Sequence, residues 1–366
     1  MRILQICSAR EIGGGERHLA DLANGLARRG HEVFAAMAPG SPVRAELSFV
    51  PAENMIELPM RNALSLRSGW QLSRLVRDQR IEIIHAHLAR DYPLAALAAG
   101  RSGAQLVLTR HVLFPLSRIH RLTLRRTSRV IAVSEAVAGG LRAQNIFSPD
   151  KIVTIHNGID VERFARARGG TGVPPVNQAG QFRIGMAGHL ARIKGQEEFV
   201  RAAAVVCRTR DDVEFVIAGE DKSRDGQNRL SIEKLIRDLG LSGRVQLTGW
   251  IDNVAELLAT LDLFISPARS EPFGLSIVEA MAAGVPVIAT ASEGAREIID
   301  DGESGRLVPI GEVETLAKAI TELLGDADER GRLASNARAV AHSRFSLVRM
   351  IERTEQVYRE VIGTPT

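Results

Sequence analysis

Residues 270–290 read SEPFGLSIVEAMAAGVPVIAT, and this stretch decides the fold. It follows the apolar run LFIS at 263–266, carries a helical pattern over 274–283, and ends in a second apolar run at 287–289. Two short, wholly apolar runs joined by a helix with glycine and proline at its edges spell strand, helix and parallel strand. Strands buried on both faces lose the polar alternation of an antiparallel sheet. A chain built from such units is a doubly wound α/β protein.

The same alternation extends in both directions. Downstream of 181, runs at 182–187, 214–218 and 245–247 alternate with helical patterns at 196–208 and around 230–239, and helices follow the last strand. Upstream, runs at 3–7, 32–37, 82–86, 105–109, 129–133 and 152–155 alternate with helices at 16–29, around 68–79 and around 92–99, and with one capped by Ser134. Between these halves, residues 166–181, RARGGTGVPPVNQAGQ, lack apolar periodicity and read as a linker. The expected organisation is a Rossmann-like domain over 1–165, the linker over 166–181, a second Rossmann-like domain over 182–345, and a final helix over 346–366 packing back on the first. Two doubly wound parallel sheets then face each other across a cleft, with ligands at the carboxyl ends of the strands.

A chain of 366 residues is too long for one core and suits two. With 45% hydrophobic and 25% charged residues it is neither disordered nor fibrous. The longest uncharged apolar stretch, 280–292, is too short to span a bilayer, and the first apolar run, 3–7, is shorter than a signal-peptide core, so no secretory signal is expected. Cys7 and Cys207 sit in apolar runs and read as buried thiols. The expected location is the cytoplasm. The net charge of +4 is uneven: residues 1–165 carry 22 basic and 14 acidic side chains, and the remainder 25 and 29. A basic first half points to an anionic partner. Aromatic residues are only 4%, with no aromatic–basic interleaving for stacking bases, so a membrane surface is favoured over nucleic acid.

Chemistry concentrates in a few loops. In 271–279, Pro272 and Gly274 place Glu271 in a loop and Glu279 inside the helix, whose first amides at Gly274, Leu275 and Ser276 suit a phosphate. Glu279 is placed to accept hydrogen bonds from vicinal hydroxyls, such as those of ribose. Residues 188–195, GHLARIKG, form a glycine-bounded strand-to-helix loop with Lys194, Arg192 and His189 available to an anion. Gly13, Gly14 and Gly15 allow close backbone approach, but His18 stands where a dinucleotide fingerprint needs glycine, and no acidic residue ends strand 32–37. His111 follows strand 105–109 on its ligand side. His85 and His87 resemble metal ligands, yet no third ligand follows at a characteristic spacing, so no metal is assigned. Asp326 and Asp328 lie between C-terminal helices and read as a helix cap. In 114–129, Arg118, Arg121, Arg125 and Arg126 alternate with Ile119, Leu122 and Leu124, a basic amphipathic segment able to lie on anionic lipid or to face solvent.

Taken together, GGGERHLADLANGLARRGHEV at 13–33, AVSEAV at 132–137, HNGID at 156–160, GHLARIKG, TGW at 248–250 and SEPFGLSIVEAMAAGVPVIAT resemble a retaining glycosyltransferase of the two-Rossmann-domain GT-B architecture, in family 4. The resemblance covers essentially the whole chain. It implies that Glu279 binds the donor ribose, that the amides of Phe273 through Ser276 meet the diphosphate and sugar, and that Glu271 contacts the sugar ring. Lys194 would neutralise the diphosphate, His111 would touch the transferring sugar, and Gly14 and Gly15 would admit the phosphates. Gly219, Trp250 and Ile251 would border the base. One departure is His189, where the family usually has arginine; Arg192 or a protonated His189 would supply that charge.

The implied activity is metal-independent transfer of a hexose from a nucleoside-diphosphate sugar, UDP first and GDP next, with no cofactor. The acceptor would be a glycan or a lipid-linked or lipopolysaccharide precursor near Glu16, Arg17 and the basic segment, at the inner face of the cytoplasmic membrane. No residue stands out as a covalent nucleophile, which suits same-face displacement. Two alternatives remain: a sugar-nucleotide epimerase or phosphorylase of the same architecture, or a silent nucleotide-sugar binder. None of the five lysines sits in a convincing pyridoxal phosphate context.

Overall fold

The computed structural model describes residues 1–60, 66–167 and 180–363. The expected linker lies mostly outside the described residues. Contacts divide the chain into two units, one of Met1–Gly158 completed by the helix Leu347–Ile362, the other of Ile159–Ser346. The helix Val161–Ala167 belongs to the second unit.

The first unit has seven strands: β1 (Arg2–Cys7), β2 (Glu32–Met37), β3 (Met55–Glu57), β4 (Ile83–Ala86), β5 (Gln105–Arg110), β6 (Arg129–Ala132) and β7 (Ile152–Thr154). They pair in parallel in the order β3-β2-β1-β4-β5-β6-β7. The second has β8 (Phe182–Ala187), β9 (Val213–Ala218), β10 (Val245–Gly249), β11 (Leu263–Ser266), β12 (Val287–Thr290) and β13 (Arg306–Val308), in the order β10-β9-β8-β11-β12-β13. All are parallel. The two Rossmann-like sheets of the sequence reading are therefore present. The edge strands β3 and β13 are additions; at three residues each, MIE and RLV hold too little apolar sequence to announce a strand.

Strand order reverses between β1 and β4, and again between β8 and β11. At such a switch point the flanking connections leave toward opposite faces, which opens a crevice beyond the carboxyl ends of the two strands. Each unit thus has a switch-point crevice of this kind.

The cores follow from the sequence pattern. The helix Gly14–Arg28 buries Leu19, Leu22, Ala23 and Leu26 at helical spacing. It begins two residues before the expected 16, because the Glu16 carboxylate accepts the Gly13 amide at 3.0 Å and caps the first turn over the glycines. Gly25 of this helix meets the helix Leu347–Ile362, where a Cβ would come within 2.1 Å of Ile351 Cδ1. Met350, Ile351, Val357 and Tyr358 of that last helix join the core with Ile3, Leu19 and Ile83. In the second unit Phe199 and Phe215 pack edge-to-face at 5.6 Å among Ile184, Ile265 and Ile320. Cys7 is buried, Cys207 only half-buried, and both are free thiols. Among the described residues no helix is long and apolar enough to cross a membrane.

Candidate active site

In the second unit the loops after β8 and β11 meet. Gly195 has φ +76°, and a Cβ there would lie 2.0 Å from the Pro267 carbonyl oxygen, so the two backbones touch. The Arg269 amide donates to the Ile193 carbonyl at 2.8 Å. This contact brings Lys194 Nζ to 2.5 Å from Glu271 Oε2. Both side chains are partly shielded, at 30% and 12% exposure, so their attraction is less screened than on an open surface. An ammonium has three N–H donors, so the pair leaves Lys194 able to reach an anion as well.

The Glu271 loop is pinned from behind. Gly294 donates its amide to the Glu271 carbonyl at 2.8 Å, and a Cβ on Gly294 would fall 1.9 Å from the Phe273 carbonyl oxygen. Glu293 Oε2 accepts from the Ser270 hydroxyl at 3.1 Å and from the Glu271 amide at 3.3 Å. Gly274, at φ +115°, then turns the chain into the helix Leu275–Ala282. Leu275 and Ser276 head that helix, ahead of the first intrahelical bonds from Ile277 and Val278 to Gly274. Glu279 lies one turn further on and is half-buried.

Three glycines end the neighbouring strands. Gly188, Gly219 and Gly249 all have positive φ, and Gly219 approaches Gly188 so closely that a Cβ would sit 1.9 Å from its carbonyl oxygen. Beside them, the His189 carbonyl accepts from Gln196 Nε2 at 2.9 Å, while Arg192 is exposed. Trp250 is 47% exposed, its indole N–H donating to Asp252 at 2.8 Å, and Ile251 is half-buried. Glycine backbone beside an exposed aromatic makes a flat wall for a planar ligand. The predicted residues of this unit lie beyond the ends of β8, β9, β10 and β11, in the loops at and beside the switch point and in the helix Leu275–Ala282 that follows β11.

The first unit gathers histidines. His87 follows β4, His111 follows β5, and His18 projects from the helix Gly14–Arg28. His18 and His111 pack edge-to-face at 4.8 Å, and His111 Nε2 lies 3.4 Å from His87 Nδ1. Gly15 adjoins the same ring: a Cβ would come to 3.5 Å of His111. Gly14 and Gly15 are the first residues of their helix rather than part of a loop. The His85 ring packs on His87 at 4.2 Å, but both its nitrogens are engaged elsewhere, with the Tyr358 hydroxyl at 2.5 Å and Thr109 Oγ1 at 2.7 Å. Burial pulls His18 down to about 4 and holds His87 and His111 well below the ordinary imidazole range. All three are neutral near pH 7.

The basic segment 114–129 is mostly irregular. Only His120–Thr123 is helical, a single turn. Leu116 and Leu124 are buried and anchor the segment, leaving Phe114 and Leu122 72% exposed and Ile119 58% exposed. Arg118, Arg121, Arg125 and Arg126 are all exposed. Arg121, Arg125 and Lys151 border a surface groove of about 780 Å³ floored by Leu124 and Phe147. Glu16 and Arg17 are half-buried on their helix. Asp326 accepts the Glu329 amide at 2.9 Å and caps the helix Ala327–Arg344, as its position between two helices indicates.

Sequence reasoning missed His18, His87 and Glu293 as parts of these sites. His18 stands three and four residues beyond Gly15 and Gly14, which puts it on the glycine face of the helix. His87 was visible in the HAH string, but its neighbours come from other elements.

Models of two families match the chain: Glycosyl transferases group 1 over residues 174–340 and Glycosyltransferase Family 4 over 12–163. The lipopolysaccharide core biosynthesis glycosyltransferase LpsE of Rhizobium meliloti is 30% identical over 91% of this chain and 92% of its own length. The phosphatidyl-myo-inositol mannosyltransferase of Mycolicibacterium smegmatis is 27% identical over 99% of this chain and 95% of its own. The crystal structure of HepE of Anabaena in complex with UDP-glucose superposes with a TM-score of 0.81, at 25% identity, over 100% of both chains.

Proposed function

The chain belongs to the family 4 glycosyltransferases of GT-B architecture, and from that premise we propose a retaining, metal-independent hexosyltransferase that uses a nucleoside-diphosphate sugar. UDP is the favoured base carrier, with GDP next. The observation that carries the reading is the Lys194–Glu271 pair at the switch point of the second unit, beside the amides of Leu275 and Ser276. A cation and a helix N-terminus converge where a diphosphate would leave, with a carboxylate alongside for a sugar hydroxyl.

In the proposed reaction the bond between the anomeric carbon and the diphosphate oxygen breaks. The acceptor hydroxyl oxygen bonds to that carbon on the same face, and its proton passes to the departing diphosphate. Lys194 and the helix amides stabilise the charge developing on that group; a charge-assisted bond of this kind contributes about 1.5–3 kcal/mol. Glu279 holds the ribose, the Gly219 backbone and Trp250 border the base, and Glu271 and His111 serve the transferring sugar. His189, with Arg192, takes the place of the family's usual arginine.

The proposed acceptor is a glycan or lipid-linked precursor of the cell envelope, in lipopolysaccharide or a related polysaccharide. LpsE is named for lipopolysaccharide core synthesis and supports that direction. Exposed Phe114, Ile119 and Leu122 among four exposed arginines suit a cytoplasmic enzyme that rests on anionic lipid. A thermal-shift panel with UDP, GDP, ADP and NAD tests the donor class. At about one hundred times its dissociation constant a ligand adds roughly 2.7 kcal/mol, a rise of a few degrees. A rise with UDP or GDP supports the reading, and a rise with NAD alone overturns it.

A further inference from the structure

We propose that His18, His87 and His111 form a binding site for one zinc-class divalent ion, which acts on this enzyme as an inhibitor and not as a cofactor. One nitrogen from each ring lies within 4.8 Å of the other two. A tetrahedral zinc with Zn–N bonds of about 2.0–2.1 Å sets its nitrogens roughly 3.3 Å apart. His111 Nε2 and His87 Nδ1 already stand at 3.4 Å, which is long for a hydrogen bond and right for two ligands of one ion. A shift of the His18 side chain by about 1.5 Å closes the third position. Three protein nitrogens leave a fourth position open to water or a ligand.

Around the rings the structure has the supports that a metal site needs. His87 Nε2 donates to Gln5 Oε1 at 2.8 Å, which leaves the lone pair on Nδ1 facing His111. Gln5 is held in turn by Tyr358 at 3.4 Å. His18 is 5% exposed, and its Nδ1 is buried without a hydrogen-bond partner. An unsatisfied buried nitrogen is a standing cost, and a His18 ring turned to bring it onto a cation would remove that cost. Three of the nine histidines meet here from three different elements, so nothing in their spacing along the chain announces the site.

The binding stands on these three rings alone. The inhibition rests on the reading above of His111 as a sugar-contacting residue, because a ligated Nε2 is no longer available to substrate. Tag-free protein titrated with Co²⁺ should show tetrahedral ligand-field absorption saturating at one equivalent and displaced by Zn²⁺. His18→Ala and His87→Gln should each weaken binding at least tenfold, while His120→Ala, outside the cluster, should not. Circular dichroism and melting show that each variant is folded; if His18→Ala fails to fold, His18→Gln takes its place. In the transfer assay, Zn²⁺ should inhibit competitively with the donor, and a chelator should restore the rate. Absent Co²⁺ absorption, or binding untouched by both cluster variants, overturns the site. One equivalent bound without inhibition keeps the site and sinks the sugar-facing role of His111.

Discussion

Lys194 and Glu271 lie 77 residues apart in sequence, yet share a 2.5 Å contact because the Gly195 and Pro267 backbones touch. Each residue was legible from its own loop; their pairing was not, since it depends on how two switch-point loops stack. Lys194→Ala removes positive charge from where, on the proposed function, a diphosphate would depart, and kcat/KM should fall about 10²–10³-fold, the loss typical of deleting one preorganised charge-stabilising donor. Glu271→Gln should lower kcat with the thermal midpoint nearly unchanged, since the amide keeps the shape and the half-shielded ion pair adds at most about 1 kcal/mol. Transfer at wild-type rates in both variants would remove these residues from the mechanism. Gly219 is constrained differently, by φ +152° and a carbonyl 1.9 Å from any Cβ. Gly219→Ala should cost about 1–3 kcal/mol in a denaturant titration and weaken nucleotide-sugar binding together with it.

At the scale of elements, the strands and long helices were legible because apolar runs and helical periodicity are local properties. The segment 114–129 shows where that logic stops. Its arginines and leucines alternate as on a helix face, but Leu116 and Leu124 anchor into the unit and only His120–Thr123 coils. The apolar groups left outside are the ones a bilayer surface would take up. Replacing Arg121 and Arg125 together by Glu should reduce binding to anionic vesicles by about thirtyfold or more, at about 1 kcal/mol for each charge lost near the surface. Cosedimentation measures this, and unchanged binding excludes a lipid role for the segment. The aspartate at 326 is plainer: as N-cap of an 18-residue helix it should cost about 1 kcal/mol when replaced by Ala, with no effect on turnover.

Across the whole molecule, the first unit is completed by the last helix. Glu355, 4% exposed, accepts from Arg29 at 2.8 Å, from His31 at 3.0 Å, and from Arg359 one turn away. Burial alone would raise its carboxyl, but the hydrogen bonds from Arg29 and His31, with the Arg29 and Arg359 charges, outweigh that and hold it below the ordinary 4.5. The folded state therefore binds its proton less readily than the unfolded chain. The stabilisation is full above pH 4.5 and disappears as pH falls through the lowered folded value. Glu355→Gln should cost about 2 kcal/mol at neutral pH, and the difference from wild type should shrink in strongly acidic buffer. Denaturant midpoints at both ends of that window measure it; a pH-independent difference would mean that packing, not charge, holds the helix.

The return of Leu347–Ile362 to the unit built by the first 158 residues also sets an order of events during synthesis. As the ribosome works forward, the second unit has all its strands before the first has its final core side chains, Met350, Ile351, Val357 and Tyr358. Until those emerge, the nascent first unit shows an open apolar flank around Leu19, Leu22 and Leu26, a surface that a chaperone would shield. Chains stalled before residue 347 should therefore expose protease sites in the earlier unit while the later one resists, so the half made first is the half matured last.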